Sequence, residues 1–192
     1  MKAQNRNVKE NKAATTIVLG VTGSIAAYKA AELVRRMQQQ GWDVWVMMTE
    51  AAAKYVGPLT FQALTKHPVA VGRCEAVETS VYQHLDLSGR AGAVVIAPCT
   101  ANVLAKFAHG LADDVVTATV LAAAGPVVVA PAMNERMWRN PATQANVKTL
   151  KDRGVLVLEV AAGELACGDV GAGRLTTLEN IMAATAQAME QG

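Results

Sequence analysis

Thr16-Ile-Val-Leu-Gly-Val-Thr-Gly-Ser-Ile-Ala-Ala-Tyr-Lys29 holds the transition on which the fold turns. Its first residues, up to Thr22, are apolar and β-branched without alternation. That is the pattern of a strand covered on both faces in a parallel sheet. Gly23-Ser24 breaks the run. From Ile25 to Gln40 apolar residues return at helical spacing (Ile25, Tyr28, Leu33, Met37), and Gly41 supplies a stop. A buried strand delivered straight into a helix opens a βαβ unit.

The alternation continues along the chain. Asp43–Met48 reads as a second strand, and Ala93–Ala97 as a strand leading into a helix over Asn102–Ala108. A further helix is expected over Asp114–Ala124. Then come a strand at Val127–Ala130, a helix over Pro141–Arg153, a strand at Val155–Leu158 and a closing helix over Leu178–Glu190. The pattern predicts an α/β fold: a doubly wound, mostly parallel sheet of Rossmann or flavodoxin-like type, with right-handed crossovers, in a single domain over residues 16–192. Residues 1–15 are polar and rich in Asn and Lys, and read as a flexible arm that is neither signal peptide nor anchor. Ala161–Thr177 is Gly-rich and too long for a routine connection, so a functional flap is expected there.

Bulk composition excludes several classes. The 192 residues suffice for a core without disulfide or metal staples. At 52% hydrophobic but 4% aromatic, that core must come from Val, Leu, Ile, Ala and Met, with little stacking surface for nucleic acid. A net charge of +2, from 18 basic and 16 acidic side chains, argues for neither nucleic acid nor an anionic membrane. No apolar run approaches the ~20 residues that cross a bilayer. Cys74, Cys99 and Cys167 form no CxxC pair, so neither a disulfide framework nor a metal site is expected, and a cytoplasmic location is.

In a doubly wound sheet ligands bind beyond the carboxyl ends of the strands, near the topological switch point, so the loops after each strand carry the information. Thr22-Gly-Ser24 offers backbone N–H groups and a hydroxyl at a helix start, which suits a phosphate. It would equally serve as a plain turn capped by Ser24. Thr49 reads as an N-cap or as a second contact to the same phosphate. Ala97-Pro-Cys-Thr-Ala-Asn102 is small and amide-bearing, leaving room for a flat ring. Asn102 would equally cap the next helix, and Cys99 would be a small buried hydrophobe. In Ala130-Pro-Ala-Met-Asn-Glu-Arg-Met-Trp138, Met133, Met137 and Trp138 fit a core as well as a site, whereas the Asn134 amide suits a carboxylate. His84 precedes the central strand and lies off any apolar stripe, although a lone histidine is more often structural. Gly163–Arg174 surrounds Cys167 with glycines, as a lid bearing a thiol and a cation or as a loose surface loop.

Together these segments resemble the family of homo-oligomeric flavin-containing cysteine decarboxylases, and within it the branch that acts on phosphopantothenoylcysteine. The resemblance rests on Gly23-Ser-Ile-Ala-Ala-Tyr-Lys29, His84-Leu-Asp-Leu87, Ala97–Asn102, Ala108-His-Gly-Leu-Ala-Asp-Asp114, Pro131–Trp138 and Ala166-Cys-Gly-Asp-Val-Gly-Ala-Gly-Arg174. Each is a weak signal alone, and their joint order is specific. It implies FMN as cofactor, with Gly23, Ser24 and Thr49 at its phosphate, Ile25 beside them, and Thr100, Ala101, Asn102 and Lys106 near the flavin. It implies catalytic roles for His84 in an oxidation step, Asn134 on the substrate carboxylate and Cys167 as a late proton donor. Met133, Asn134, Ala166 and Arg174 would bind substrate.

The reaction so implied converts phosphopantothenoylcysteine to phosphopantetheine in coenzyme A biosynthesis. A saturated cysteine carboxylate has no electron sink. Oxidation to a thioaldehyde creates one, loss of CO2 leaves an enethiol, and re-reduction closes the cycle without net redox change. The resemblance further implies a homotrimer or a dodecamer of trimers, with FMN near subunit interfaces, and a phosphopantothenate–cysteine ligase as supplier of substrate. In many bacteria that ligase is fused to such a domain. It is absent here, so a stand-alone form is expected. Cys99 stands where Ala or Ser is commoner. Two other readings compete: a peptidyl-cysteine decarboxylase of a peptide-antibiotic pathway, which generally lacks the glycine-rich cysteine flap, and a non-catalytic flavin-binding regulatory subunit, against which His84, Asn134 and Cys167 together argue.

Overall fold

The first strand, β1 (Thr16–Val21), is buried from Ile17 onward, as its non-alternating apolar run requires. It pairs in parallel with β2 (Asp43–Met48) on one side and with β4 (Ala93–Cys99) on the other. Two-residue strands β3 (Ala70–Val71) and β6 (Leu156–Val157) form the edges, and β5 (Val127–Pro131) lies between β4 and β6. The six-stranded order is β3-β2-β1-β4-β5-β6, all parallel. Strand order reverses between β1 and β4, which makes their carboxyl ends the switch point. The computed structural model describes residues 15–73, 83–164 and 170–191; the arm expected over 1–15 lies almost wholly outside them.

Alternate residues of β1 feed two cores. Ile17, Leu19 and Val21 pack with Leu33, Val34 and Met37 of α1 (Lys29–Gln39) and with Ile181 of α9 (Leu178–Gln191). Val18 faces the other side. There it joins a cluster with Leu104 and Phe107 of α5 (Ala101–His109), Val115 and Val116 of α6 (Val115–Leu121), and Val147 and Leu150 of α8 (Pro141–Asp152). Helices therefore cover both faces, and the doubly wound expectation holds. Among the described residues no helix is long and apolar enough to cross a membrane.

Three expectations are corrected. The helix expected from Ile25 begins as a 3-10 turn, Ile25–Tyr28, and becomes α-helical only at Lys29. Ile25 and Tyr28, assigned to its apolar stripe, are exposed at 59% and 62%; the core-facing stripe is Ala30, Leu33, Val34 and Met37. The helix expected to reach Ala124 ends at Leu121. Asp114 and Thr117 close a capping box at its start, and Ala122 ends it as C-cap, its N–H bonding Ala118 O and Val120 O, ahead of Gly125-Pro126, which cannot continue a helix. The irregular flap is partly regular: β7 (Ala161–Glu164) pairs antiparallel with β8 (Val170–Arg174). Gly163 and Gly173 sit there at φ +144° and +141°, backbone that side chains disfavour, which is why strands of this kind look like loop in sequence.

Four short helices add detail: α2 (Glu50–Ala53), α3 (Pro58–Thr65), α4 (Gln83–Arg90) and α7 (Glu135–Arg139). At the β2 side of the sheet, the Trp45 ring stacks on His67 at 4.0 Å, with the Arg90 guanidinium 4.0 Å from the Trp45 centroid. Trp45 Nε1 donates to Asp43 at 2.9 Å, and His67 Nε2 lies 2.6 Å from the same carboxylate. This cluster fastens the loop after α3 and the end of α4 to β2.

Candidate active site

The loops beyond β1, β2, β4 and β5, together with β8, surround one cleft of about 930 Å³. That is at the upper end of the range for small-molecule sites, roughly 300–1,000 Å³. It opens at the switch point, as the topology requires.

On one wall Gly23 and Ser24 follow β1. Ser24 caps the 3-10 turn, its hydroxyl accepting from Ala26 N–H at 3.3 Å. A Cβ on Gly23 would lie 2.5 Å from the Cβ of Ala51, so glycine there lets the β1 loop approach α2. Thr49 is buried and caps α2 through Ala52 N–H at 3.2 Å. Both cap readings therefore hold, and both residues also line the cleft, with Ile25.

The loop after β4 forms the floor. Thr100, not Asn102, caps α5, accepting from Val103 N–H at 3.4 Å. The N–H groups that open a helix have no intrahelical acceptor, so those of Ala101 and Asn102 are available at the cleft that these residues line. Lys106 also lines it, gripped by Asp113 at 2.7 and 2.8 Å with Asp114 at 3.9 Å. The Lys106 ammonium holds the Asp113 carboxyl below the usual carboxylate range. Cys99 is fully buried, and burial pushes its thiol well above the ordinary range, the behaviour of a small core hydrophobe.

The opposite wall comes from the loop after β5. Asn134 caps α7, its side-chain oxygen accepting from Arg136 N–H at 2.8 Å. Met133 N–H donates to the Gly173 carbonyl at 2.9 Å, and Ala132 N–H to the Cys99 carbonyl at 2.9 Å. The turn is thus tied to the floor on one side and to the hairpin on the other. Met133, Asn134, Met137 and Arg174 all line the cleft.

Not every expected residue gathers here. His84 lies in the first turn of α4 and does not line the cleft; its Nδ1 is buried with no hydrogen-bond partner among the described residues. Ala166 and Cys167 lie outside the described residues. Sequence reasoning missed Tyr28, Lys29, Tyr55 and Arg73, which build a cationic and aromatic rim. Tyr28 and Lys29 stand in the opening motif, but helical periodicity drew Tyr28 to the core. Tyr55 and Arg73 belong to segments with no legible period.

The family described as Flavoprotein matches residues 5–190. The chain is 46% identical over 166 residues to the coenzyme A biosynthesis bifunctional protein CoaBC of Bacillus subtilis (strain 168), covering 86% of this chain and 41% of that one. It thus spans about two fifths of the length of this curated relative. Among solved structures, a mutant PPC decarboxylase complexed with pantothenoylaminoethenethiol superposes with a TM-score of 0.81 at 28% identity, covering 92% of this chain and 99% of that one. The FMN-dependent cysteine decarboxylase SpaF gives 0.79 at 35% identity, covering 92% and 96%.

Proposed function

The chain belongs to the Flavoprotein family, and on that premise we propose that it binds FMN and decarboxylates phosphopantothenoylcysteine to phosphopantetheine in coenzyme A biosynthesis. The observation that carries this reading is the convergence, on one cleft, of Gly23, Ser24, Thr49, Thr100, Ala101 and Asn102 with Met133, Asn134 and Arg174. The first set suits a phosphate and a flat ring: small side chains, three hydroxyls and open helix-start N–H groups. The second suits an anionic substrate.

FMN held there supplies the electron sink that a saturated cysteine carboxylate lacks. Gly23, Ser24 and Thr49 hold its phosphate, with Ile25 beside them, and Thr100, Ala101, Asn102 and Lys106 border the ring. The Asn134 amide orients the substrate carboxylate. His84 takes part in the oxidation from a neighbouring copy, since it does not line the cleft of its own chain. Cys167, on the segment between β7 and β8, returns a proton to the enethiol. Lys29 and Arg73 at the rim attract the phosphate end of the substrate. The working form is a homotrimer, or a dodecamer of trimers, in the cytoplasm. A phosphopantothenate–cysteine ligase, in the same polypeptide or separate, supplies the substrate.

Peptidyl-cysteine substrates are the second reading, since the likeness to SpaF is to an FMN-dependent cysteine decarboxylase and does not by itself select the group that carries the cysteine. Mass spectrometry of the purified protein with phosphopantothenoylcysteine decides between them. The parent should release CO2 and yield phosphopantetheine, and Cys167→Ser should stall at a product lighter by two hydrogens. Binding of FMN without turnover of this substrate would move peptide substrates ahead.

A further inference from the structure

Thr22 lies just past the last residue of β1 and is fully buried. Its hydroxyl donates to the Pro98 carbonyl at 2.8 Å and accepts from Thr100 N–H at 3.0 Å. Its own N–H reaches the same Pro98 carbonyl at 3.3 Å. The paired register of β1 with β4 ends at Gly20 and Ile96, so these bonds lie beyond the ladder, where the two strands hand over to their loops. Thr22 does not itself line the cleft.

Gly23 and Ser24 follow Thr22 directly, and Ala101 and Asn102 follow Thr100. One hydroxyl thus fixes the spacing between the two loops that would grip opposite ends of the cofactor. A buried hydroxyl with both its donor and its acceptor capacity engaged defines geometry more tightly than packing alone. We infer that Thr22 is a positioning residue for flavin binding: it touches no ligand and sets the gap that the ligand must fit. This inference rests on the FMN reading given above.

The test is FMN titration of the protein stripped of flavin, followed by flavin fluorescence and visible circular dichroism, for the parent, Thr22→Val and Thr22→Ser. Thr185→Val serves as the packing control. Thr185 is equally buried, in α9, and its hydroxyl donates only to Ile181 O at 2.7 Å. Valine at position 22 keeps size and branching but leaves Thr100 N–H without its acceptor. The expected result is FMN affinity weakened at least about tenfold in Thr22→Val, with an altered flavin dichroism band. Thr22→Ser and Thr185→Val should match the parent in both.

If Thr22→Val binds FMN like the parent, or loses no more affinity than Thr185→Val, the inference is overturned and Thr22 is ordinary core. Should Thr22→Val not fold, Thr22→Cys takes its place, a thiol of similar size with weak hydrogen bonds, and the same two outcomes decide. Failure of the parent itself to bind FMN would instead sink the cofactor reading, and this inference with it.

Discussion

Met133 and Gly173 meet backbone to backbone: the Met133 N–H donates to the Gly173 carbonyl at 2.9 Å, and a Cβ on Gly173 would overlap the Met133 carbonyl oxygen. The hairpin therefore rests on the turn that carries Asn134, with no side chain between. Gly173→Ala should push the two apart at a backbone conformation alanine also resists. FMN binding should persist, while turnover falls by roughly a hundredfold because substrate groups on the two sides lose register. Retained flavin absorbance alongside the rate of CO2 release checks this, and near-parental turnover would contradict it.

The position of His84 away from its own cleft predicts complementation between copies. His84→Asn and Asn134→Asp should each abolish decarboxylation alone; the aspartate keeps the α7 cap but repels the substrate carboxylate. Oligomers reassembled from an equal mixture should recover roughly a quarter of parental activity, the random-mixing value for a site shared by two symmetric subunits. No recovery would place both residues in one chain's site or remove His84 from it.

Thr100→Ala removes the side-chain oxygen that Val103 N–H donates to, while the backbone N–H that Thr22 accepts from remains. Loss of such a cap should lower stability by about 1 kcal/mol. Urea unfolding of the flavin-free protein measures it, and an unchanged midpoint would mean that water caps α5 as well as the hydroxyl does.

Asp43 supplies a pH dependence. Burial alone would raise its carboxyl, but the hydrogen bonds from His67 and Trp45 outweigh that and hold it below its ordinary value. A carboxyl depressed by folding stabilises above its unfolded value, about 4, and loses that contribution as pH falls through the folded value. Melting temperatures from pH 6 to pH 3 should show Asp43→Asn below the parent at the upper end, with the gap narrowing in acid. A gap independent of pH would show that the carboxylate's charge is immaterial.

What the sequence revealed followed from how each signal arises. β1 and β2 were legible because strands buried on both faces are continuous apolar runs, and their ends came out within a residue. The edge strand β3 has two residues, too few for any period, whereas β6, equally short, was read within the apolar run Val155–Leu158. The cofactor-side loops were found because small residues at strand ends are rare enough to notice. Tyr55 and Arg73 were not, since only tertiary folding carries them to the rim. His84 was legible as a motif but not as a place. Its environment depends on α4, an element whose period was too short to read. Thr22 looked like the last residue of a strand. Its role is a matter of what lies 76 residues away.

The two-residue edge strands have a bearing on assembly. A sheet grows by backbone pairing along its outermost strands, and here each border offers only a stub for another chain to copy. Backbone pairing along the borders of this sheet is accordingly a weak route to association, and the oligomer proposed above would draw on side chains instead. Contacts of that kind would be undone by dilution and remade without either copy rebuilding its own backbone ladder, so copies in the proposed oligomer would trade places while each remained folded.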